Sequence, residues 1–398
     1  MHVEIGSEAS GPLRGIRVID LSTIVSGPLC AQILGDLGAD VIKVESPAGD
    51  TARYMGGQRA GDLTGFFAQM NRNKRSVVLD LKAPTGIEAF RRLASSADVL
   101  LENFRPDVMD RLGIGYEVLQ TDNPRLLYAA INGFGSEGPY AEQPAYDMVI
   151  QALSGIAKTI GSADTPRLVM NLLADKTAAL NAAYAVMAAL FERERSGRGQ
   201  RVEIRMLDAF GAFVHLDQIG AKAFGAPPGG STAGELLFRA WQTRDGHVAV
   251  VIIEDHQWQA LCRALDREDL VDDERFSSLF ARIGHAAELL EVVSQEVCQR
   301  TTAELVRRAH AEGAPLAPIH DLEGFLDDPQ VRHNEVVFEL DQPGAGPVPV
   351  LANPAHYSRT PGGVRRAAPG LGEHTAEVLG EAGLSPAEIE ALSRSSSG

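Results

Sequence analysis

The chain has 398 residues, 44% of them hydrophobic and 23% charged, with a formal net charge of −16. That length exceeds what one hydrophobic core usually serves, so two domains are expected, and the composition is that of a globular protein rather than a disordered or fibrous one. The acidic balance excludes a general nucleic-acid binder, which needs a basic face to displace counterions from phosphates.

Met1 to Gly11 lacks a basic and then apolar leader, and no apolar run approaches membrane-spanning length. A cytoplasmic protein with no membrane or nucleic-acid partner is expected. Cys30, Cys262 and Cys298 are too widely spaced for a CxxC pair, so reduced, packing thiols are expected. A phosphorylated ligand would need a local basic pocket. Lys43, Arg53, Arg72, Lys74, Arg75, Arg105 and Arg111 supply candidates in the first third of the chain.

In chain order, short β-rich runs at Ile16–Leu21, Asp40–Glu45, Ser76–Leu81, Val99–Glu102 and Leu126–Ile131 alternate with helical stretches. This rhythm predicts a parallel sheet covered by helices, an open Rossmann-like α/β arrangement. Pro28–Leu37 has proline early and Gly38 just past its end, the start and stop chemistry of a helix. The turn before it, Leu21–Pro28, holds only Gly27, so the GxGxxG pattern of a dinucleotide site is missing. No P-loop, HExxH or paired Cys/His spacing occurs. No metal and no tightly bound cofactor are expected.

Asp175 to Arg195 is Ala-rich and predicts a long helix, stopped by Ser196-Gly197-Arg198-Gly199-Gln200 before a strand at Arg201–Met206. A further helical stretch runs to about Phe224, and Gly225–Gly234 reads as a linker. Beyond it, Phe238–Thr243 and His247–Ile253 around Asp245-Gly246 predict a hairpin, followed by charged amphipathic helices. Strand-like Val348–Leu351, a short helix near His374–Glu381 and a disordered tail from Ser393 close the chain. The expected domains are a large one beginning at 1–224, a smaller α+β one at 225–330, and a C-terminal return at 331–398.

Asp175 stands where an apolar approach, Asn171-Leu172-Leu173-Ala174, enters the long helix. An aspartate there reads as an N-cap, bonded to helix amides. The same amides and dipole could hold it ionised as a nucleophile, and the two roles are compatible.

Several stretches resemble the family III CoA-transferases. They are Gly15-Ile16-Arg17-Val18-Ile19-Asp20-Leu21, Gly27-Pro28, Gly35-Asp36-Leu37-Gly38-Ala39-Asp40-Val41-Ile42-Lys43-Val44-Glu45 and Asn73-Lys74-Arg75-Ser76. Asp98-Val99-Leu100-Leu101-Glu102-Asn103-Phe104-Arg105-Pro106, Arg111-Leu112-Gly113, Gly133-Phe134-Gly135, Gly138-Pro139-Tyr140 and Ser196-Gly197-Arg198-Gly199-Gln200 follow in order. The resemblance implies transfer of coenzyme A from an acyl-CoA to a carboxylic acid, with Asp175 as the attacking carboxylate. It implies CoA contacts at Ile24, Lys74, Arg75, Asn103, Phe104 and Arg111. Phe104 would stack on adenine and the three cations would pair with phosphates. It also implies an oxyanion site in a glycine-rich loop, for which Gly229 and Gly230 are candidates, and an intertwined homodimer. Tyr140 and Tyr146 are candidates to line the acid pocket.

Members of that family with an arginine just after the strand ending at Glu45 can use it near CoA, whereas this chain has Ser46-Pro47-Ala48-Gly49-Asp50 there. The related α-methylacyl-CoA racemases are the alternative. They carry Gly-His-Asp where this chain has Ala145-Tyr146-Asp147. A tyrosine, with an ordinary pKa of about 10, is a poor base at neutral pH. His215, His247 and His256 are not singled out by spacing.

Overall fold

The computed structural model describes residues 6–57, 59–223 and 238–395. The chain divides into two compact units, residues 1–219 with 334–398, and residues 220–333.

The larger unit is built on six parallel strands: β1 (Arg17–Asp20), β2 (Asp40–Glu45), β3 (Lys74–Val78), β4 (Val99–Glu102), β5 (Leu127–Asn132) and β6 (Arg201–Arg205). Their spatial order is β3-β2-β1-β4-β5-β6. Val18 pairs with Val41 on one side and Val99 on the other, so alternate residues across these strands face the same side. Val18, Val41, Val99, Leu101, Leu127 and Ala129 enter one core, whereas Ile19, Ile42, Val44, Leu100 and Tyr128 enter the other. Burial on both faces is why these strands read as apolar runs rather than alternating ones.

On the first face, helix α1 (Ser26–Asp36) packs against the 24-residue α3 (Leu173–Ser196), with the shorter α2 (Asp147–Ser154) beside it. Alanine gives α3 its helical propensity and keeps its buried stripe thin, with Ala174, Ala178 and Ala182 lying against Cys30, Ala31 and Leu34 of the same core. A leucine at fully buried Ala178 would overpack that seam, at a cost of about 1–3 kcal/mol. Gly197 ends the helix in the left-handed conformation, and its N–H donates to the Arg193 carbonyl. Helix α4 (Met206–Lys222) follows β6 directly.

The second face is covered by the helix Pro84–Ser95 and by the C-terminal helices Thr375–Glu381 and Pro386–Ser395, through Phe90, Leu93, Val378, Leu379 and Leu392. The last of these helices includes Ser393–Ser395, so the tail expected to be disordered from Ser393 is helical there.

In the smaller unit, Trp241–Gln242 and His247–Val250 form the expected hairpin, shorter than predicted, and Leu316–Pro318 adds a third antiparallel strand. Trp241, Trp258, Phe276, Leu289 and Leu305 fill its core. An antiparallel pair, Val337–Gln342 with Gly346–Leu351, belongs to the larger unit.

Candidate active site

In the larger sheet, the strand order reverses between β1 and β4, and the loops leaving their carboxyl ends diverge and open a crevice, as open parallel sheets do at such a point. Thr23–Ser26 after β1 and Asn103–Pro106 after β4 form two walls. Asn132–Gly135 after β5 and Gln143–Tyr146 complete the lining, with Asp175 inside. Beyond Phe104 the crevice continues into an apolar hollow lined by Leu21, Val44, Leu79, Leu81, Val108 and Leu112, with Lys82 on its edge.

Asp175 is not an N-cap. The cap position is Leu172, and Asp175 is the third residue of α3. The helix is capped instead by a carboxylate from another element: buried Asp147, at the start of α2, accepts the N–H groups of Ala174 at 2.7 Å and Asp175 at 3.1 Å. Its other oxygen accepts from the Gln151 amide at 2.5 Å. Asp147 therefore takes the amides that would otherwise have steadied the Asp175 charge. Burial and the neighbouring Asp147 charge push the Asp175 carboxyl up to about 7, against a partial offset from a hydrogen bond with Ser26.

The loop carrying Ser26 is held under strain. Ile24 has φ +69°, a left-handed conformation that costs a β-branched residue about 1–2 kcal/mol. Its N–H donates to the Asp50 carboxylate at 3.1 and 3.3 Å. Asn103 accepts from the Thr23 N–H and donates to the Thr23 carbonyl, both at 2.8 Å, and reaches the Ser26 hydroxyl at 3.3 Å. Asn103 thus spends its polar atoms on the loop. Phe104 faces the crevice, and its N–H donates at 2.8 Å to Glu102, a carboxyl raised to about 7 chiefly by burial.

The structure brings Ile24, Asn103, Phe104, Tyr146 and Asp175 to one crevice. Tyr146 is 62% exposed at its mouth. Tyr140 lies outside the lining, with its ring 5.5 Å from Phe134. Gly229 and Gly230, with the whole of the Gly225–Gly234 loop, lie outside the described residues.

Lys74 and Arg75 do not reach the crevice, a correction to the expectation that they pair with phosphates. The Lys74 ammonium is fully buried and bonded to Asp20 at 2.7 Å and to the Pro28 carbonyl and Asn71 at 2.8 Å, which uses all three of its donors. Burial lowers its pKa to about 8. Arg75 is locked to Asp40, Glu377 and Glu381, tying the C-terminal helix to the amino edge of the sheet. Both open β3, whereas ligands meet the carboxyl ends of parallel strands. Arg111 is exposed on the short helix Val108–Arg111 and pairs only loosely, at 3.2 Å, with Asp107. Its neighbours Val108 and Leu112 line the apolar hollow.

Sequence reasoning missed Asp147, Ser26 and Lys82 as parts of the site, and offered Arg105 only as one of several basic candidates for a phosphate. Arg105 is the one cation among the described residues lining the crevice around Asp175. Its adjacency to the Asn103-Phe104 pair was the available signal. Lys82 follows β3 on its carboxyl side, the side that the parallel-sheet argument favours over Lys74. The histidines considered as alternative bases lie elsewhere: His215 bonds the Ser154 carbonyl, and His247 and His256 belong to the smaller unit. No group of three or more His, Cys, Asp or Glu side chains among the described residues is placed to hold a metal ion.

Residues 13–375 match the model of CoA-transferase family III. The chain belongs to that family. It is 35% identical to the succinate–glutarate CoA-transferase of Agrobacterium fabrum, with 93% of this chain and 95% of the relative covered. It is 33% identical to a formyl-CoA:oxalate CoA-transferase of Escherichia coli O157:H7, covering 96% and 98%. A solved CAIB/BAIF family protein from Brucella suis superposes with a TM-score of 0.83 at 32% identity, covering 94% of this chain and 100% of that one. The enzyme is a family III CoA-transferase, and acyl-CoA and carboxylic acids are the substrates that fit its family.

Proposed function

We propose that the enzyme moves coenzyme A from an acyl-CoA donor to a dicarboxylic acid, with Asp175 as the covalent nucleophile. The carrying observation is the position of Asp175: half-buried in the switch-point crevice, with a pKa of about 7. Near neutral pH a substantial fraction is ionised yet poorly solvated, which suits attack on a carbonyl.

An ionised Asp175 oxygen attacks the thioester carbonyl, and the tetrahedral intermediate expels CoA thiolate to leave a mixed anhydride. The thiolate then attacks the Asp175 carbonyl of that anhydride, releasing the donor acid and forming an aspartyl–CoA thioester. The acceptor carboxylate attacks this thioester and again frees the thiolate. Attack of the thiolate on the acceptor's carbonyl yields the new acyl-CoA and restores the Asp175 carboxylate. Phe104 and the apolar hollow beside it would hold the adenine, with Lys82 and Arg111 near its phosphates.

The choice of a dicarboxylic acid draws on the glutarate and oxalate transferases among the relatives and on the charge of the crevice wall. Arg105, exposed and paired with no carboxylate among the described residues, can bind a second carboxylate in a forked geometry.

Incubation with succinyl-CoA, hydroxylamine or borohydride treatment and mass spectrometry should find a modification at Asp175 that is absent in Asp175→Asn. An unmodified Asp175, with solvent deuterium entering the α-carbon of a branched acyl-CoA, would replace transfer with racemisation. For the assembly, we propose an intertwined cytoplasmic homodimer. Leu180, Tyr184 and Phe191 of α3 and Phe213 and Leu216 of α4 are exposed apolar side chains suited to a second copy. No helix among the described residues is long and apolar enough to cross a membrane. Sedimentation of the wild type and Leu216→Glu tests the dimer, and a wild-type monomer would refute it.

A further inference from the structure

The segment after β2, Ser46-Pro47-Ala48-Gly49-Asp50, carries no arginine, and the structure gives its last residue other work. Asp50 is 1% exposed and pairs at 2.9 Å with Lys43, itself fully buried. Lys43 also donates to the Ser22 carbonyl at 3.0 Å. Burial opposes its charge, but Asp20, Asp50 and Glu45 outweigh that and keep it protonated. Asp50 is fixed from its own side as well, because its N–H donates to Glu45 at 3.1 Å and its carboxylate caps the Thr51–Tyr54 turn through the Ala52 N–H at 2.9 Å.

The loop is thus gripped at three consecutive residues: Ser22 by Lys43, Thr23 by Asn103 and Ile24 by Asp50. The last of the three, Ile24, is held in the one conformation an isoleucine resists. Strain of this kind persists only where surroundings over-determine it. Two residues further on stands Ser26, which lines the crevice together with Asp175 and whose side chain partly offsets the rise of that carboxyl. A buried ion pair is weak evidence for stability, since apolar side chains of similar volume do as well. Its location here, beneath the loop that meets the nucleophile, indicates what it is for.

We propose that Asp50, held by Lys43, is a positioning residue for the transfer reaction: it locks Ile24 left-handed and so sets Ser26 against the Asp175 carboxylate. Asp50 touches no reacting atom. The inference rests on Asp175 being the nucleophile.

The test compares wild type, Asp50→Asn, and Asp50→Asn combined with Ile24→Gly, after acyl trapping on wild-type Asp175 has been established. Asp50→Asn should lower kcat at least tenfold while changing the KM for acyl-CoA less than about twofold, the split expected when only transition-state geometry is lost. The acidic limb of its pH–rate profile should move to higher pH, because the Ser26 hydrogen bond that lowers the Asp175 pKa is loosened. Glycine adopts positive φ without strain, so Ile24→Gly should restore much of kcat in the Asp50→Asn background. A purely structural role would give neither the shifted limb nor that rescue.

Should Asp50→Asn fail to fold, Asp50→Glu keeps the charge that faces Lys43 but displaces the acceptor of the Ile24 N–H, and the same kcat-selective loss is expected. Trapping on Asp175 with an unaltered kcat and pH profile in the foldable variant overturns the positioning role alone. No trapping on the wild type overturns the nucleophile reading instead.

Discussion

Replacing Asp175 with asparagine should destroy activity and stabilise the fold at alkaline pH. The folded-state pKa is raised from 3.8 to about 7, so between those values the native protein holds a proton that the unfolded chain releases. The unfolded state then binds fewer protons, and wild-type stability falls as pH rises through this window. The full rise is worth about 4 kcal/mol at ~1.36 kcal/mol per pH unit. Water reaching Asp175 through the open crevice screens part of that, so about 2 kcal/mol is expected. Asparagine carries no such penalty. Thermal denaturation near pH 4.5 and near pH 8 should show the two proteins closely matched at the lower pH and the variant about 4 °C more stable at the higher. A melting difference that does not change with pH, or a variant less stable near pH 8, would refute the argument that burial and Asp147 hold this carboxyl high.

Asp147→Asn should act on the same group from the other side: removing the neighbouring charge lowers the Asp175 pKa, so the acidic limb of the rate profile moves to lower pH. The weakened cap should also cost about 1–2 kcal/mol, read by denaturant unfolding. Arg105→Gln should raise the KM for a dicarboxylic acceptor at least tenfold while leaving that for a monocarboxylate of equal length nearly unchanged. A rise confined to the KM for acyl-CoA would assign Arg105 to the CoA phosphates. Lys74→Met strands the buried Asp20 carboxylate and should cost about 3–5 kcal/mol, with the KM for acyl-CoA unmoved in whatever folds. A selective rise in that KM would return Lys74 to the binding site.

The sheet was legible because strands buried on both faces write their apolar runs directly into the sequence, as Val99–Glu102 and Asp40–Glu45 do to the residue. The long helix was equally plain in its alanines and its Gly197 stop. What spacing could not supply was orientation. Lys74 and Lys82 flank the same strand, and nothing local says that one ammonium turns under the sheet to Asp20 while the other stands at the carboxyl edge. Asp147 was invisible for a related reason. It caps a helix that begins 26 residues later, and side-chain caps are recognisable in sequence only when they sit next to the helix they serve.

That remote cap also resolves a tension in the site. A carboxylate in the first turn of a helix would ordinarily be held well ionised by free amides and the dipole, and a charge so well stabilised is a sluggish nucleophile. Here the Ala174 and Asp175 amides are already satisfied by Asp147, and the charge that satisfies them repels the one beside it. The helix still fixes where Asp175 points. Its N-terminal stabilisation, however, is delivered to a different carboxylate, and Ser26 supplies only a single hydrogen bond in return. Position and reactivity are thereby set by separate groups. This is why the loop that places Ser26, and the buried Asp50–Lys43 pair beneath it, have leverage over the chemistry without touching a substrate.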